Sequence, residues 1–426
     1  MHTESETPPR PDRRAPSRGV RSLPRNVWVM TLASFLTDIS SEMVVNLLPL
    51  LLVSVLGVRT GVVGVIEGVA ETTASLVKAG SGWLSDRMDR RKPLVVLGYG
   101  LSAAAKPFLV LATSWWTVLV VRFADRLGKG LRTAPRDALV ADSIRPEQRG
   151  LAFGLHRAGD TAGAVIGLAI ALLVVVAGGS AASLTRETFQ QVVLLSLIPA
   201  TLAVVLLALG VREQARRRNV GVRTSGRVRD LGGRFLVYLA TIGLFTLGNS
   251  SDAFLILRAS DVGLTVAGVL GMMLAFNLVY AAVATPAGSA SDRIGRKRIL
   301  LAGWLLYALV YLGFARMSAP WQAWLWMMLY GLYYALTEGV GKAVVADLVP
   351  PEQRGLAYGL LAAVVGIMAL PASLMAGILW QGAGSWAGLG PAAPFLAGAA
   401  LSGVACLMLA FQDLRPRSGE APDPVA

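Results

Sequence analysis

Long apolar runs recur along nearly the whole chain and constrain its fold more than any other feature. Each run is close to the ~20 residues that a helix needs to cross a bilayer, and short polar segments separate the runs. Charged residues make up 15% of the 426 positions, against about 25% in soluble domains. We therefore expect an all-α membrane protein with twelve transmembrane helices, at about 26–53, 60–83, 94–112, 115–140, 151–178, 189–211, 235–257, 264–287, 299–316, 321–346, 356–380 and 392–411.

Helices are the spanning structure that these runs allow. A transmembrane β-strand is about ten residues long and alternates apolar and polar positions, and lipid leaves the backbone groups of an isolated strand unsatisfied. Residues 1–24 are rich in Arg and Pro and lack an apolar core, so they are expected to be a basic cytoplasmic tail and not a cleavable signal peptide.

The net charge of +14 is explained by topology. If the N-terminus is cytoplasmic, most Lys and Arg residues fall in cytoplasmic segments, whereas the opposite side carries Arg59, Arg186, Arg258 and Arg316. The positive-inside rule then places both termini in the cytoplasm. We expect a multi-pass protein of the plasma (inner) membrane that contacts the lipid bilayer and binds no nucleic acid.

Residue usage argues against several kinds of chemistry. The single cysteine, Cys406, excludes an internal disulfide, and the two histidines leave no room for a multi-histidine metal site. The sequence lacks a P-loop motif, so nothing in it indicates ATP hydrolysis. It also lacks a nucleophile, a base and an orienting group at a recognisable spacing. We expect no enzyme activity, no metal and no cofactor, with a proton gradient as the driving force.

The sequence contains an internal duplication. VADSIRPEQRGLAFGL at 140–155 returns as VADLVPPEQRGLAYGL at 345–360, and FLTDISSEM at 35–43 resembles FTLGNSSDA at 245–253. Parallel six-helix repeats of this kind enclose a cavity where the halves meet, and rocking of the halves gives alternating access. The predicted organisation is a tail (1–24), a six-helix half (25–211), a cytoplasmic linker (212–233), a pseudo-symmetric six-helix half (234–413) and a second tail (414–426).

Two loops carry a resemblance to a known family. GWLSDRMDRRK at 82–92 resembles the signature between helices 2 and 3 of the major facilitator superfamily, and GSASDRIGRKR at 288–298 resembles it in the second half. Asp89 stands where the family usually has glycine. With the twelve runs, the resemblance covers nearly the whole chain and implies the superfamily's fold and a secondary transporter that works by alternating access.

Two helical motifs are similar to further family signatures. RFADRLGKG at 122–130 looks like the superfamily's second motif, with Arg122 at the position of its arginine. Gly159, Gly163 and Gly167 resemble part of the antiporter signature, with Ala164 in place of its proline.

The repeated loops predict a cytoplasmic latch whose ion pairs form when that side closes and break when it opens. We expect Arg90 and Arg91 to meet Glu147, and Arg296 to meet Glu352. The predicted latch residues are Gly82, Asp86, Arg87, Arg90, Arg91, Glu147, Arg149, Gly288, Asp292, Arg293, Arg296, Glu352 and Arg354.

Ionisable residues also lie inside the predicted spans, where each costs about 2.5–3.5 kcal/mol without a partner or water. They can carry protons or bind substrate, or the acids can neutralise the bases of the fourth span as permanent pairs. Arg126 and Lys129 can also bind an anion. The candidates are Asp38, Glu42, Asn46, Glu67, Glu71, Arg122, Asp125, Arg126, Lys129, Arg157, Asp160, Asp252, Glu338 and Lys342.

The expected function is secondary active transport of a small organic solute by a monomer. The first hypothesis is proton-coupled export of drug-like compounds or metabolites. The alternatives are an uptake or exchange carrier for an organic anion, and a transport-dead membrane receptor or scaffold.

Overall fold

Helices dominate the structure, a computed structural model that describes residues 20–88, 90–145, 148–213, 231–350 and 353–414. Within these ranges no strand forms beyond an isolated bridge between Ala383 and Trp386. Most of the two predicted tails and of the predicted linker lies outside the described residues. We call residues 20–213 the first part of the chain and residues 231–414 the second part.

Each part is a succession of helices. The first part contains α1 (Arg25–Val45), α2 (Leu48–Leu50), α3 (Thr60–Arg87), α4 (Lys92–Ala105), α5 (Trp115–Asp142), α6 (Arg149–Ala177) and α7 (Arg186–Gly210). The second part contains α8 (Gly233–Gly248), α9 (Ala253–Asp261), α10 (Val266–Ile294), α11 (Arg296–Arg316), α12 (Pro320–Leu348), α13 (Arg354–Gln381) and α14 (Ala393–Phe411).

In the described part of the chain, nine helical segments are long and apolar enough to cross a membrane, which confirms an all-helical, multi-pass membrane protein. They are Arg25–Val55, Thr60–Ser85, Gly150–Ala177, Arg186–Gly210, Gly233–Asp261, Val266–Ile294, Arg296–Arg316, Arg354–Gln381 and Ala393–Phe411.

Three of the predicted spans, 94–112, 115–140 and 321–346, form helices that are less apolar or shorter than the nine. α4 has 14 residues before a 3-10 turn follows it. α5 carries many charged residues, and α12 is rich in Trp and Tyr, whose rings are only partly apolar. The count of twelve stays a prediction.

Two interruptions lie within otherwise continuous helical segments. α1 and α2 are separated at Asn46 and Leu47, and α8 and α9 at residues 249–252. Irregular backbone at membrane depth is tolerated where it lines a cavity, and Asn46 and the 249–252 segment do so.

The two ends of the bundle differ in their contacts. We call the end that carries Asn26 and Arg212, joined by hydrogen bonds of 2.9 and 3.0 Å, the tail side, and the opposite end the far side. At the far side, Thr60 N donates to Gln381 Oε1 (2.7 Å) and Ala267 N donates to the Ala181 carbonyl (3.0 Å). These hydrogen bonds join the first part to the second.

α3 and α13 pack together closely because glycines remove side chains from their contact. A Cβ at Gly64 would lie 2.3 Å from the Ser373 carbonyl oxygen, and a Cβ at Gly377 would lie 2.7 Å from the Gly61 Cα. α6 and α10 form a second contact between the two parts. These helix pairs hold the parts together around a central space.

We predict that Gly64→Ala destabilises the protein, whereas Gly61→Ala does not. The added methyl at position 64 must displace the α13 backbone, and overpacking typically costs about 1–3 kcal/mol. At position 61 a Cβ meets open space. The thermal unfolding midpoint of the purified full-length protein in detergent measures both. Equal midpoints for the two variants would contradict the close packing of α3 and α13.

Candidate functional site

A cavity of about 390 Å³ lies between the two parts of the chain. Both parts supply its walls, through α1, α3 and α5 on one side and the 249–252 segment, α10, α12 and α13 on the other. Its lining includes Glu42, Asn46, Glu67, Glu71, Ser75, Arg122, Arg126, Lys129, Asn249, Ser250, Ser251, Asp252, Met273, Phe276, Asn277 and Tyr334. The cavity therefore brings together eight of the sequence-predicted candidates.

Two ion pairs form a ladder between α3 and α5. Arg122 Nη2 lies 2.6 Å from Glu67 Oε2, and both side chains are buried, at 3% and 8% exposure. One turn farther along both helices, Arg126 Nη1 lies 3.5 Å from Glu71 Oε1. The ladder forms because the helices run parallel and both carry their charges four residues apart, on one face.

Asp125 stands beside the ladder. Its Oδ2 lies 4.0 Å from Arg122 Nη1 and 3.9 Å from Arg126 Nε. The interpretation of the membrane charges as permanent neutralising pairs therefore describes these residues of α3 and α5 well. They hold the first part of the chain together and leave few charges free.

Lys129 lies where the ladder ends. At the next turn α3 carries Ser75 in place of an acid, and Gly130 packs on Ala74. Lys129 is exposed, lines the cavity and has no described carboxylate oxygen within 4.0 Å. The cavity therefore contains a cation that no ion pair neutralises.

Two cavity carboxylates are bound by neutral donors. Asn46 Nδ2 donates to Glu42 Oε2 (2.9 Å), and the Tyr330 hydroxyl donates to Asp252 Oδ1 (2.7 Å). Among the described residues, no Lys, Arg or His nitrogen lies within 4.0 Å of either acid. Glu42 belongs to the first part of the chain and Asp252 to the second, so unpaired acids face the cavity from both sides.

Aromatic rings of α10 and α12 form the apolar wall. Phe276 and Tyr334 line the cavity and meet edge to face, with ring centroids 5.5 Å apart. Tyr330 packs behind them, 5.1 Å from Tyr334, and reaches Asp252. The four-residue spacing of Tyr330 and Tyr334 in α12 places both rings on one face of the helix.

A second polar cluster bridges the parts between the cavity and the tail side. Arg157 Nη2 lies 2.6 Å from Glu338 Oε2, and Lys342 Nζ lies 3.5 Å from Glu338 Oε1. The Tyr280 hydroxyl donates to Glu338 (2.6 Å) and accepts from Arg157. Three predicted candidates thus form one bridge, together with Tyr280, which was not among the predicted residues.

Asp38 and Asp160 do not line the cavity. Asp38 lies where α1 meets α6, since a Cβ at Gly163 would be 3.1 Å from the Asp38 Cβ. Asp160 Oδ1 lies 3.8 Å from His156 Nε2. Both acids belong to contacts inside the first part of the chain. In the described part of the chain, no three His, Cys, Asp or Glu side chains come together as a metal site requires.

The glycines of α6 are packing residues. Cβ atoms at Gly159, Gly163 and Gly167 would lie 2.8, 2.5 and 2.5 Å from Thr31 Cγ2, the Phe35 carbonyl oxygen and the Ile39 carbonyl oxygen. All three face α1 and lie away from the cavity. Their spacing is therefore explained by close helix packing inside the first part.

The repeated loops form ion pairs with acids other than the predicted Glu147 and Glu352. Arg91 Nη1 lies 2.7 Å from Asp142 Oδ2, and Arg296 Nη1 lies 2.5 Å from Asp347 Oδ1. Each acid ends a Val-Ala-Asp triplet that both copies of the duplication contain. That repetition was the signal that could have identified Asp142 and Asp347.

Other latch residues have separate contacts. Arg296 also lies 3.7 Å from Asp292, Arg354 donates to the Ala346 carbonyl (3.0 Å), and Arg87 stacks on Trp83. A Cβ at Gly82 would lie 3.4 Å from Ala134, whereas Gly288 faces open space. Arg90 and Arg293 are exposed. The predicted partners Glu147 and Glu352, and the side chains of Asp86 and Arg149, lie outside what the structure describes.

Known proteins resemble the chain over nearly its full length. The family model of the Major Facilitator Superfamily matches residues 30–257 and 235–425. The chain is 35% identical over 397 residues to an uncharacterized MFS-type transporter of Methanocaldococcus jannaschii, covering 92% of this chain and 96% of that protein.

Two further similarities are limited, the first in its length and the second in its sequence identity. Over 140 residues, the chain is 34% identical to the multidrug resistance protein MdtH of Aeromonas hydrophila, covering 33% of this chain and 35% of that protein. The crystal structure of a D-xylose-proton symporter matches with a TM-score of 0.73 at 16% identity, covering 91% of this chain and 97% of the symporter. At this identity the match shows the fold alone.

We predict that Arg122→Met strongly destabilises the protein and that adding Glu67→Gln restores part of the loss. The single change leaves the Glu67 carboxylate buried without its base, which typically costs about 3–5 kcal/mol, whereas the double change removes both charges. Thermal unfolding of the purified variants measures this, with Arg316→Gln as a control on an exposed base. A double variant no more stable than Arg122→Met would refute the pairing.

Proposed function

Since the chain belongs to the Major Facilitator Superfamily, we propose that it is a secondary active transporter that moves a small organic solute by alternating access. The observation that carries the proposal is the charged cavity of about 390 Å³ between the two parts of the chain. Small-molecule pockets commonly measure about 300–1,000 Å³. A single chain supplies every wall of this cavity, so transport by a monomer needs no second subunit.

The contacts around the cavity support a conformation open toward the tail side. The two parts meet at the far side through Thr60 and Gln381 and through Ala181 and Ala267. On the tail side, the described ion pairs of the repeated loops, Arg91–Asp142 and Arg296–Asp347, lie within one part each. Between the cavity and that side, the Arg157–Glu338 bridge also joins the two parts, so closing the tail side would add contacts beyond this bridge. Rocking of the parts around the cavity would break the far-side contacts and close the tail side.

The proposed topology has twelve spans in two six-helix halves, with both termini and the linker in the cytoplasm of the inner membrane. The internal duplication supports the two halves. α4, α5 and α12 supply the three spans beyond the nine strongly apolar segments, because each packs between them. The tail side is then the cytoplasmic side, since it carries the repeated basic loops.

A proton gradient is the proposed driving force, and Glu42 and Asp252 are the proposed proton carriers. Glu67 and Glu71 are engaged by Arg122 and Arg126, which favours a structural role for those two acids. Glu42 and Asp252 face the cavity with neutral donors only. An unpaired intramembrane carboxylate is costly when ionised and can be neutralised by a proton.

Export is the proposed direction. The similarity to the multidrug resistance protein MdtH over a third of the chain favours it. The organic-anion carrier is the second candidate, favoured by Lys129, the cavity cation without an ion pair. Four acids face the cavity against three bases, Arg122, Arg126 and Lys129, which weighs against a site dedicated to anions.

We predict that a reporter cysteine in the cavity can be labelled from both sides of the membrane. When a disulfide locks the far side, the reporter should be labelled from the cytoplasmic side alone. The reporter is Ala369→Cys, which lines the cavity, in a Cys406→Ala background. Ala181→Cys with Ala267→Cys supplies the lock, because hydrogen-bonded backbones hold these residues together. A membrane-impermeant maleimide is applied to right-side-out and inside-out vesicles.

With the lock oxidised, labelling from outside should stop and labelling from the cytoplasmic side should continue. Reduction should restore outside labelling of the reporter, and the double variant without the reporter, treated in the same way in the oxidised and in the reduced state, gives the background for each arm. A static receptor or scaffold would be labelled from one side whether locked or not. A channel would be labelled from both sides in either state. Either result would refute alternating access without requiring a known substrate.

The same reporter tests proton coupling. We expect an imposed pH gradient to change its labelling rate, because protonation of Glu42 and Asp252 alters the charge that both parts present to the cavity. Glu42→Gln combined with Asp252→Asn should abolish the change, and Glu187→Gln, an exposed acid outside the cavity, should preserve it. A response that survives the double substitution would assign the coupling to other groups, of which Asp38 is the first to test.

A further inference from the structure

The cavity presents unpaired charges of both signs. Lys129 has no carboxylate within 4.0 Å among the described residues, and Glu42 and Asp252 have no base within that distance. The remaining cavity charges neutralise each other through the ladder of Glu67 with Arg122 and Glu71 with Arg126. A bound solute therefore meets one free cation and two free carboxylates.

The free charges are separated along the cavity. Lys129 lies almost one turn beyond Arg126 toward the tail side, and a helical turn is about 5.4 Å. Glu42 lies in the last turn of α1, which begins at the tail side, and Asp252 lies in the segment between α8 and α9; both line the cavity. The cation thus stands toward the tail-side opening, and the two acids stand deeper, Glu42 at the end of α1 and Asp252 at the junction of α8 and α9.

The uncharged residues of the cavity wall limit the polarity and the size of the remainder of the solute. Phe276, Tyr334 and Met273 offer an apolar surface, whereas Asn249, Asn277 and the serines at 250 and 251 offer hydrogen-bonding groups. A purely lipophilic solute would leave these polar groups desolvated without partners, which opposes binding. The volume, near the lower end of the range for small-molecule pockets, favours a compact solute.

We propose that the transported substrate is a compact zwitterion, with its ammonium group at Glu42 and Asp252 and its anionic group at Lys129. The inference rests on the proposed transport function and names its substrate class. An organic anion would occupy Lys129 but leave both acids facing its apolar body. An organic cation would occupy the acids and leave Lys129 unpaired. A zwitterion satisfies both ends of the cavity, and its apolar body packs on Phe276 and Tyr334.

Matched ligand series test the charge requirement. The first series is phenylalanine, phenethylamine and 3-phenylpropionate, and the second is 6-aminohexanoate, hexylamine and hexanoate. Each series keeps the carbon skeleton similar and removes one charge at a time, and the two series differ in the distance between their charges. Binding to the purified full-length protein is measured by equilibrium dialysis with labelled ligand.

In at least one series we expect the zwitterion to bind at least tenfold more tightly than its amine and its acid. Lys129→Ala should lower zwitterion affinity to that of the amine, and Glu42→Gln with Asp252→Asn should lower it to that of the acid. Arg316→Gln and Glu187→Gln, which change exposed charges outside the cavity, should leave all affinities unchanged.

Three outcomes would overturn the proposal. Acids that bind as tightly as the zwitterions, with affinity lost in Lys129→Ala, would indicate an anion carrier. Amines that bind as tightly, with affinity lost in Glu42→Gln, would indicate a cation exporter. If no zwitterion of either series binds, the proposed substrate class is wrong. The lock experiment then shows whether the transport proposal fails as well. Labelling of the reporter that changes sides with the lock supports alternating access, whereas labelling from one side whether locked or not contradicts both the transport proposal and the substrate proposal.

Discussion

The pairing of Glu67 with Arg122 and of Glu71 with Arg126 is the interaction on which the first part of the chain depends. α5 carries eight charged residues between Trp115 and Asp142, and each is costly in lipid unless a neighbour neutralises it or water reaches it. α3 supplies those neighbours because it runs parallel to α5 with the same four-residue spacing of charge. A helix too polar to count as a membrane span by composition is thereby held among apolar helices.

The ladder also determines which charged groups of the cavity are free to bind a solute or a proton. Ser75 takes the place of an acid at the next turn of α3 and packs against Gly366 of α13, so Lys129 is left without a carboxylate partner. Across the cavity, the interruption between α8 and α9 presents Asp252, held only by the Tyr330 hydroxyl. Paired charges stabilise the helices, and the charges left unpaired are those available to a solute or a proton.

Sequence alone predicted the helical membrane fold because every span in lipid must satisfy its own backbone hydrogen bonds, which favours long apolar helices. The apolar runs of the sequence indicate these helices, and the duplication indicates their arrangement in two repeats. The four-residue spacings of Glu67 with Glu71 and of Arg122 with Arg126 indicated charged faces. Which acid meets which base depended on the parallel register of α3 and α5, which no local pattern contains. For the same reason Asp142, Asp347 and Tyr280 were missed, since their partners come from other helices.

Coupling between solute, proton and conformation requires groups whose surroundings change when the two parts of the chain move. The ladder residues cannot report such a movement, because both members of each pair belong to the first part. Glu42 and Asp252 face the same cavity from different parts, and Arg157 reaches Glu338 across the same boundary. A rocking motion changes the separation of these groups and leaves the ladder intact. Stability and transport therefore depend on different charges within one membrane-embedded cluster.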